Sequence, residues 1–132
     1  MSNLQAQAPS KKIAIILPAY NESATIVETM RAFHQQLPSA SLYVINNNSK
    51  DDTQALAEKT LSALGCEGAV MVELRQGKGN ALRRAFVTID ADIYVIADAD
   101  MTYPADRLQD LIAPVLEGRA DMVVGDRHSG GH

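Results

Sequence analysis

The stretch Ile13-Ala14-Ile15-Ile16-Leu17-Pro18-Ala19-Tyr20-Asn21-Glu22 decides how the chain is read. Ile13–Leu17 is a short apolar run, too short for a helix and suited to a strand buried on both faces; Pro18 and the polar turn after it close the run. The pattern recurs at Leu42–Ile45, Ala69–Val72, Ile93–Ala97 and Met122–Val124, with starts roughly 24 to 29 residues apart. That interval holds one strand and one crossover helix.

The intervening segments carry helical spacing. Ile26, Met30, Phe33 and Leu37 form one stripe of a 3.6-residue helix that ends before Pro38. Ala57, Leu61 and Leu64 form a second, closed by Gly65 as a left-handed cap. Leu82, Phe86 and Ile89 predict the buried face of a third helix. Leu108, Leu111, Ile112 and Val115 predict a fourth, with Pro104 in its first turn and Gly118 past its end. The order is βαβαβαβαβ: an α/β three-layer sandwich around a mostly parallel, Rossmann-like sheet. Such sheets bind ligands beyond the carboxyl ends of their strands, so the loops Pro18–Glu22, Asn46–Thr53 and Asp98–Pro104 are where chemistry is expected.

Composition bounds what this domain can do. At 132 residues, 46% hydrophobic and 21% charged, the chain has the length and apolar content of one domain. Residues 12–127 are expected to form it, with 1–11 a flexible arm and 128–132 a tail. A net charge of −4 argues against nucleic-acid binding and requires any anionic ligand to be held locally. The lone Cys66 allows neither an intrachain disulfide nor a zinc cluster, which points to a reducing compartment. No apolar run approaches the ~20 residues of a membrane helix, and the first dozen residues lack the features of a secretory signal. A cytoplasmic setting is expected, with any membrane contact made by parts outside this chain.

Asp98-Ala99-Asp100 ends the fourth strand. Residues two apart on a strand share a face, so two carboxylates converge and repel unless a cation lies between them. Hard oxygen ligands of this kind suit Mg²⁺ or Mn²⁺, shared with substrate phosphates; the competing reading is ordinary loop acids.

Taken together, the motifs resemble family 2 glycosyltransferases with the GT-A fold. The opening strand and its Pro-x-Tyr-Asn-Glu turn, the Val44–Thr53 segment, Arg75–Leu82 with its Gly-Lys-Gly, Asp98-Ala99-Asp100 and Val123–Arg127 stand in that family's order. The Asp98–Pro104 run is most similar to polyprenyl-phosphate sugar transferases of the dolichol-phosphate mannosyltransferase type. The resemblance implies that Pro18, Tyr20 and Glu22 shape a nucleoside pocket and that Ile45 with Asn47 lines the base. It implies that Asp98 and Ala99 meet ribose and diphosphate, that Asp100 with Thr102 and Asp98 holds the metal, and that Arg127 meets phosphate. Asp98 and Asp100 are thereby the catalytic candidates. The donor implied is a GDP- or UDP-sugar; the acceptor implied is a polyprenyl phosphate or a saccharide.

General chemistry agrees. A divalent ion offsets charge developing on a diphosphate leaving group, and Arg127 can grip phosphate bidentately. Lys78, flanked by Gly77 and Gly79, is either a mobile positive charge for the diphosphate or a solvated lysine at a helix start. Asn46 and Asn47 stand where the family usually has one or two aspartates, and an asparagine both accepts and donates, which leaves uridine and guanosine open. Asn48 suits left-handed turn geometry, and Ser49 and Asp51 are expected to cap the second helix. His34 reads as a helix-flank residue rather than a ligand.

The family's acceptor base is expected beyond Arg127. Two readings follow: a donor-binding part of a longer enzyme, catalytically silent alone, or transfer to an acceptor phosphate that is already ionised and needs no base. A receiver-like signalling domain shares the βα count but clusters its acids after the first strand, not the fourth.

Overall fold

A computed structural model describes residues 12–99 and the strand at 122–125. Its elements are β1 (Ile13–Ala19), α1 (Ile26–Gln36), β2 (Ser41–Asn46), α2 (Thr53–Leu64), β3 (Gly68–Val72), α3 (Lys78–Thr88), β4 (Ile93–Ala97) and β5 (Met122–Gly125). All five apolar runs are strands. The fourth helix expected at 108–115, the arm at 1–11 and the tail at 128–132 lie outside the described residues.

The strands form one parallel sheet in the order β3-β2-β1-β4-β5. The chain winds outward from β1 to β3, then crosses back over β2 and β1 to lay down β4 on the other side. Alternation along the strands sorts the core into two faces. Ile15, Leu17, Val44 and Val95 pack with Ile26, Met30 and Phe33 of α1 and Ala57 of α2. Ala14, Ile16, Ile45 and Ile96 pack on the other face with Ala81 and Ala85 of α3. The three layers are therefore α1 and α2, the sheet, and α3.

The expected stripe of α1 is the one buried. The second helix ends as expected, with Gly65 left-handed at φ 69° and its N–H on the carbonyl of Leu61. The third helix differs: Ala81, Ala85 and Ile89 are buried, Leu82 is half-buried, and Phe86 is 39% exposed, its ring edge-on to Tyr94 at 5.2 Å. Small residues let this helix lie close on β1 and β2, which turns the bulkier phenylalanine toward the flank. At the other edge β3 begins at Gly68, where a Cβ would stand 1.8 Å from the carbonyl oxygen of Leu42.

Pro18 shapes the carboxyl edge. The carbonyl of Lys12 faces β4 and that of Ala19 faces β2, so by the two-residue alternation Pro18 faces β4, where it has no N–H to give. Pairing of β1 with β4 accordingly stops at Ile16↔Ile96, while pairing with β2 continues to Ala19↔Asn46. The two strands are unlaced at the point where the winding direction reverses, the place at which open α/β sheets receive ligands.

Candidate functional site

Two loops bound this crevice on the β2 side and are stitched together by side chains. The backbone N–H of Asn21 donates to Ser49 Oγ at 2.9 Å, that of Glu22 to Thr53 Oγ1 at 2.9 Å, and that of Ser23 to Asp51 Oδ2 at 3.2 Å. In return Asn21 Oδ1 accepts from the Lys50 N–H at 2.7 Å. Asn21 and Asn48 both take left-handed backbone, at φ 53° and 63°, as the turn geometry at Asn48 was expected to require. The Thr53 hydroxyl also donates to Asp51, and this bond above all holds the Asp51 carboxyl down to about 2. The capping expectation is not met as stated, for the residue at the N-cap of α2 is Asp52, with no side-chain cap bond. Asp51 accepts from the Thr53 N–H at the start of α2, but Ser49 serves the Asn21 turn instead.

Of the three residues expected in the β1 turn, Pro18 is sealed in the strand, Tyr20 is 46% exposed, and Glu22 is half-buried. The Glu22 carbonyl accepts from Thr25 and Ile26 and so starts α1. Ile45 is fully buried on the face beneath α3, so it supports the loop after it and presents no surface to a base.

Asn47 has a task that the sequence did not display. Its Nδ2 donates to the carbonyls of Glu73 at 3.0 Å and Arg75 at 2.7 Å, and its Oδ1 accepts from the Gly77 N–H at 2.8 Å. The side chain is thus a clasp on the β3–α3 loop, both of its donors spent on backbone. Asn46 is similarly occupied, donating to Gln54 Oε1 at 2.8 Å and accepting from the Ser49 N–H at 3.0 Å. These bonds account for asparagine at both positions, since a carboxylate cannot donate.

The same loop holds Glu73, a residue that no motif singled out. Its side chain is 3% exposed and faces two arginines: Arg75 Nε and Nη2 at 3.0 and 3.2 Å, and Arg84 Nε at 3.4 Å. The Arg75 hydrogen bonds dominate in holding the Glu73 carboxyl down to about 2. An acid directly after an edge strand with arginines two and eleven residues on was the available signal. Its partners lie across a loop and a helix turn, and spacing alone does not reveal them.

From this clasped loop α3 begins at Lys78, and its ammonium reaches Asp98 Oδ1 at 3.0 Å across the crevice. The two motifs, twenty positions apart, meet at one carboxylate that keeps 20% of its side-chain surface exposed. Next to it Ala99 is fully buried. Its carbonyl accepts from Thr25 Oγ1 at 2.8 Å, with Thr29 Oγ1 at 3.3 Å, so α1 pins the Asp98–Ala99 backbone. Asp100, Thr102 and Arg127 lie outside the described residues.

The donor chemistry around Asp98 fits a hard divalent cation such as Mg²⁺ or Mn²⁺: a partly exposed carboxylate at a strand end that already attracts a positive charge. Among the described residues no three His, Cys, Asp or Glu side chains stand together as a metal cage. Any ion here would complete its shell with oxygens beyond Asp98, such as those of a bound phosphate, the pattern of Mg²⁺ sites shared with phosphates.

Comparison with known proteins places this architecture. RfbJ of Shigella flexneri is 40% identical over 123 residues, covering 92% of this chain and 90% of that protein. Dolichol-phosphate mannosyltransferase of Pyrococcus furiosus is 25% identical over 119 residues, and the match covers 33% of its length. Glucosyl-3-phosphoglycerate synthase of Mycobacterium tuberculosis, solved with Mn²⁺, UDP-glucose and phosphoglyceric acid, superposes with a TM-score of 0.69 at 29% identity. That superposition covers 87% of this chain and 43% of the synthase, so the chain spans less than half of these two larger relatives. The sequence model of glycosyl transferase family 2 matches residues 14–132, and the chain belongs to that family, with the GT-A architecture of its structural neighbours.

Proposed function

We propose that residues 12–127 bind a nucleotide-diphosphate sugar together with Mg²⁺ or Mn²⁺ and form the donor half of an inverting sugar transfer on the cytoplasmic side of the membrane. The observation that carries the reading is the 3.0 Å approach of Lys78 to Asp98, which joins the Gly-Lys-Gly and Asp-Ala-Asp motifs at the unlaced β1–β4 edge. A strand-end carboxylate, a helix N-terminus and an ammonium meet there, the groups a cation-bridged diphosphate needs. That a UDP-sugar is the donor draws support from the synthase's complex with Mn²⁺ and UDP-glucose.

In this reading Asp98, with Asp100 and Thr102, holds the cation, and Arg127 and Lys78 meet phosphate oxygens. Tyr20 and the Glu22 turn border the nucleoside, and the clasped 73–77 loop forms the adjoining wall. The bound ion supplies charge neutralisation as the C1–oxygen bond breaks and the diphosphate leaves with the bonding electrons. The acceptor oxygen attacks C1 from the opposite face. A phosphate acceptor brings a negative oxygen and no proton to remove, whereas a hydroxyl requires a base. We favour a polyprenyl phosphate, since the relatives include dolichol-phosphate mannosyltransferase and undecaprenyl-phosphate 4-deoxy-4-formamido-L-arabinose transferase. No helix among the described residues is long and apolar enough to cross a membrane.

Calorimetric titration of UDP, GDP and UDP-glucose, each with and without Mn²⁺, tests donor binding. Mn²⁺-dependent binding of one nucleotide is expected, and no binding to any overturns the reading. The 33% and 43% shares of the larger relatives favour a second possibility, a donor-binding module that is silent alone. Sugar transfer by the 132-residue chain itself eliminates that alternative.

A further inference from the structure

We propose that Lys78 is the resident counter-ion of Asp98, and that cation and donor enter the site by exchange against it: the divalent ion takes the carboxylate and the released ammonium turns to the diphosphate. The inference rests on the proposed donor site and adds an order of events. Metal and Lys78 compete when no nucleotide is present and cooperate when one is.

Three features argue for exchange rather than a fixed structural pair. The first is unequal anchoring. Asp98 follows directly on β4 and precedes Ala99, whose carbonyl is held by Thr25, so the carboxylate is a stationary post. Lys78 reaches it from the first residue of α3 on a flexible stem, with 44% of its side chain exposed and Gly77 and Gly79 on either side.

The second is that this ion pair is dispensable to the fold. The loop leading into α3 is already fixed by the Asn47 clasp on Glu73, Arg75 and Gly77. The loops that follow β1 and β2 are tied to each other by Ser49, Asp51 and Thr53. Neither network includes Lys78 or Asp98, so their pair can open with no hydrogen bond of the frame broken. Partly exposed pairs of this sort are worth little in stability, which makes exchange inexpensive.

The third is electrostatic. An ammonium in contact with Asp98 repels any divalent ion approaching that carboxylate and must move for the ion to bind. Once a diphosphate is present the same ammonium finds a more highly charged partner within its own reach, beside the free N–H groups at the start of α3. Lys78 thus holds Asp98 neutralised in the empty site and transfers its charge to the ligand on loading.

The test is a pair of titrations on the 132-residue chain and its Lys78→Met variant: Mn²⁺ alone, followed by electron paramagnetic resonance of the free ion, and UDP at saturating Mn²⁺, followed by calorimetry. Lys78→Met is expected to bind Mn²⁺ about 2- to 5-fold more tightly than the unaltered chain, the range for release of a partly exposed ion pair. It is expected to bind UDP several-fold more weakly. Lys78→Arg, which keeps the charge, should restore the unaltered Mn²⁺ affinity. Opposite signs for metal and nucleotide are the signature; damage to the fold would weaken both. Mn²⁺ affinity unchanged or reduced in Lys78→Met, while the unaltered chain binds Mn²⁺ and UDP, overturns the exchange and leaves the donor site standing. Failure of the unaltered chain to bind either overturns both.

Discussion

Replacing Asn47 by aspartate puts into this chain the residue its family usually carries, and the structure requires the change to be harmful. Asn47 is 5% exposed, and its amide donates to the carbonyls of Glu73 and Arg75 at 3.0 and 2.7 Å. Asn47→Asp removes both donors and sets an anion against two carbonyl oxygens. Losing two buried hydrogen bonds costs about 1 kcal/mol each, and carbonyls left without partners add about 1 kcal/mol or more. The Gly77 N–H at 2.8 Å would bond more strongly to a carboxylate, which returns about 1 kcal/mol. The net expectation is a loss of about 2–4 kcal/mol at neutral pH, roughly 8–16 °C in melting temperature for a domain of this size. Because a protonated aspartic acid can donate one of the two lost bonds, the deficit should shrink as pH falls below the variant's raised carboxyl pKa. Urea denaturation followed by circular dichroism at pH 7 and near pH 5 measures both effects. Stability at pH 7 within about 0.5 kcal/mol of the unaltered chain would refute the clasp.

Acid should weaken the unaltered chain through Asp51 and Glu73. Both carboxyls lie near 2 in the fold, against 3.8 and 4.5 ordinarily, so the unfolded chain binds protons first and stability should fall from about pH 4.5 toward pH 2. A flat urea midpoint across that range would contradict the depressed values. Gly68→Ala should be severely destabilising, because its Cβ would meet the Leu42 carbonyl at 1.8 Å from a backbone at φ 147°. A melting temperature within a few degrees of the unaltered chain would show the β3 edge to be freely movable. Phe33→Ala, which empties the largest buried side chain of the α1 face, should cost about 3–5 kcal/mol in urea denaturation; a loss under 1 kcal/mol would place the ring outside the core.

The strands were legible because a sheet buried on both faces writes itself as unbroken apolar runs, and Ile93–Ala97 matches its run end to end. The face of α3 was less so. Leu82 and Phe86 outrank alanine on any apolar scale, yet close approach to β1 and β2 favours Ala81 and Ala85 and sends Phe86 to Tyr94. Around the site, the positions of Lys78 and Asp98 could be read from motifs, but their meeting could not, since it depends on the crossover of α3. The tasks of Asn47 and Glu73 were hidden for a further reason. The partners of Asn47 are backbone carbonyls and an N–H, which every residue carries and no side-chain pattern displays, and those of Glu73 are two arginines that only the loop and the turn of α3 bring to it.

A cation-dependent donor site at Asp98 and Asp100 can be probed by calorimetry of UDP binding to the Asp98→Asn and Asp100→Asn chains with and without Mn²⁺. Each change should abolish the increment in UDP affinity that Mn²⁺ gives the unaltered chain while the fold melts normally. Retention of the full Mn²⁺-dependent increment in both variants would contradict it.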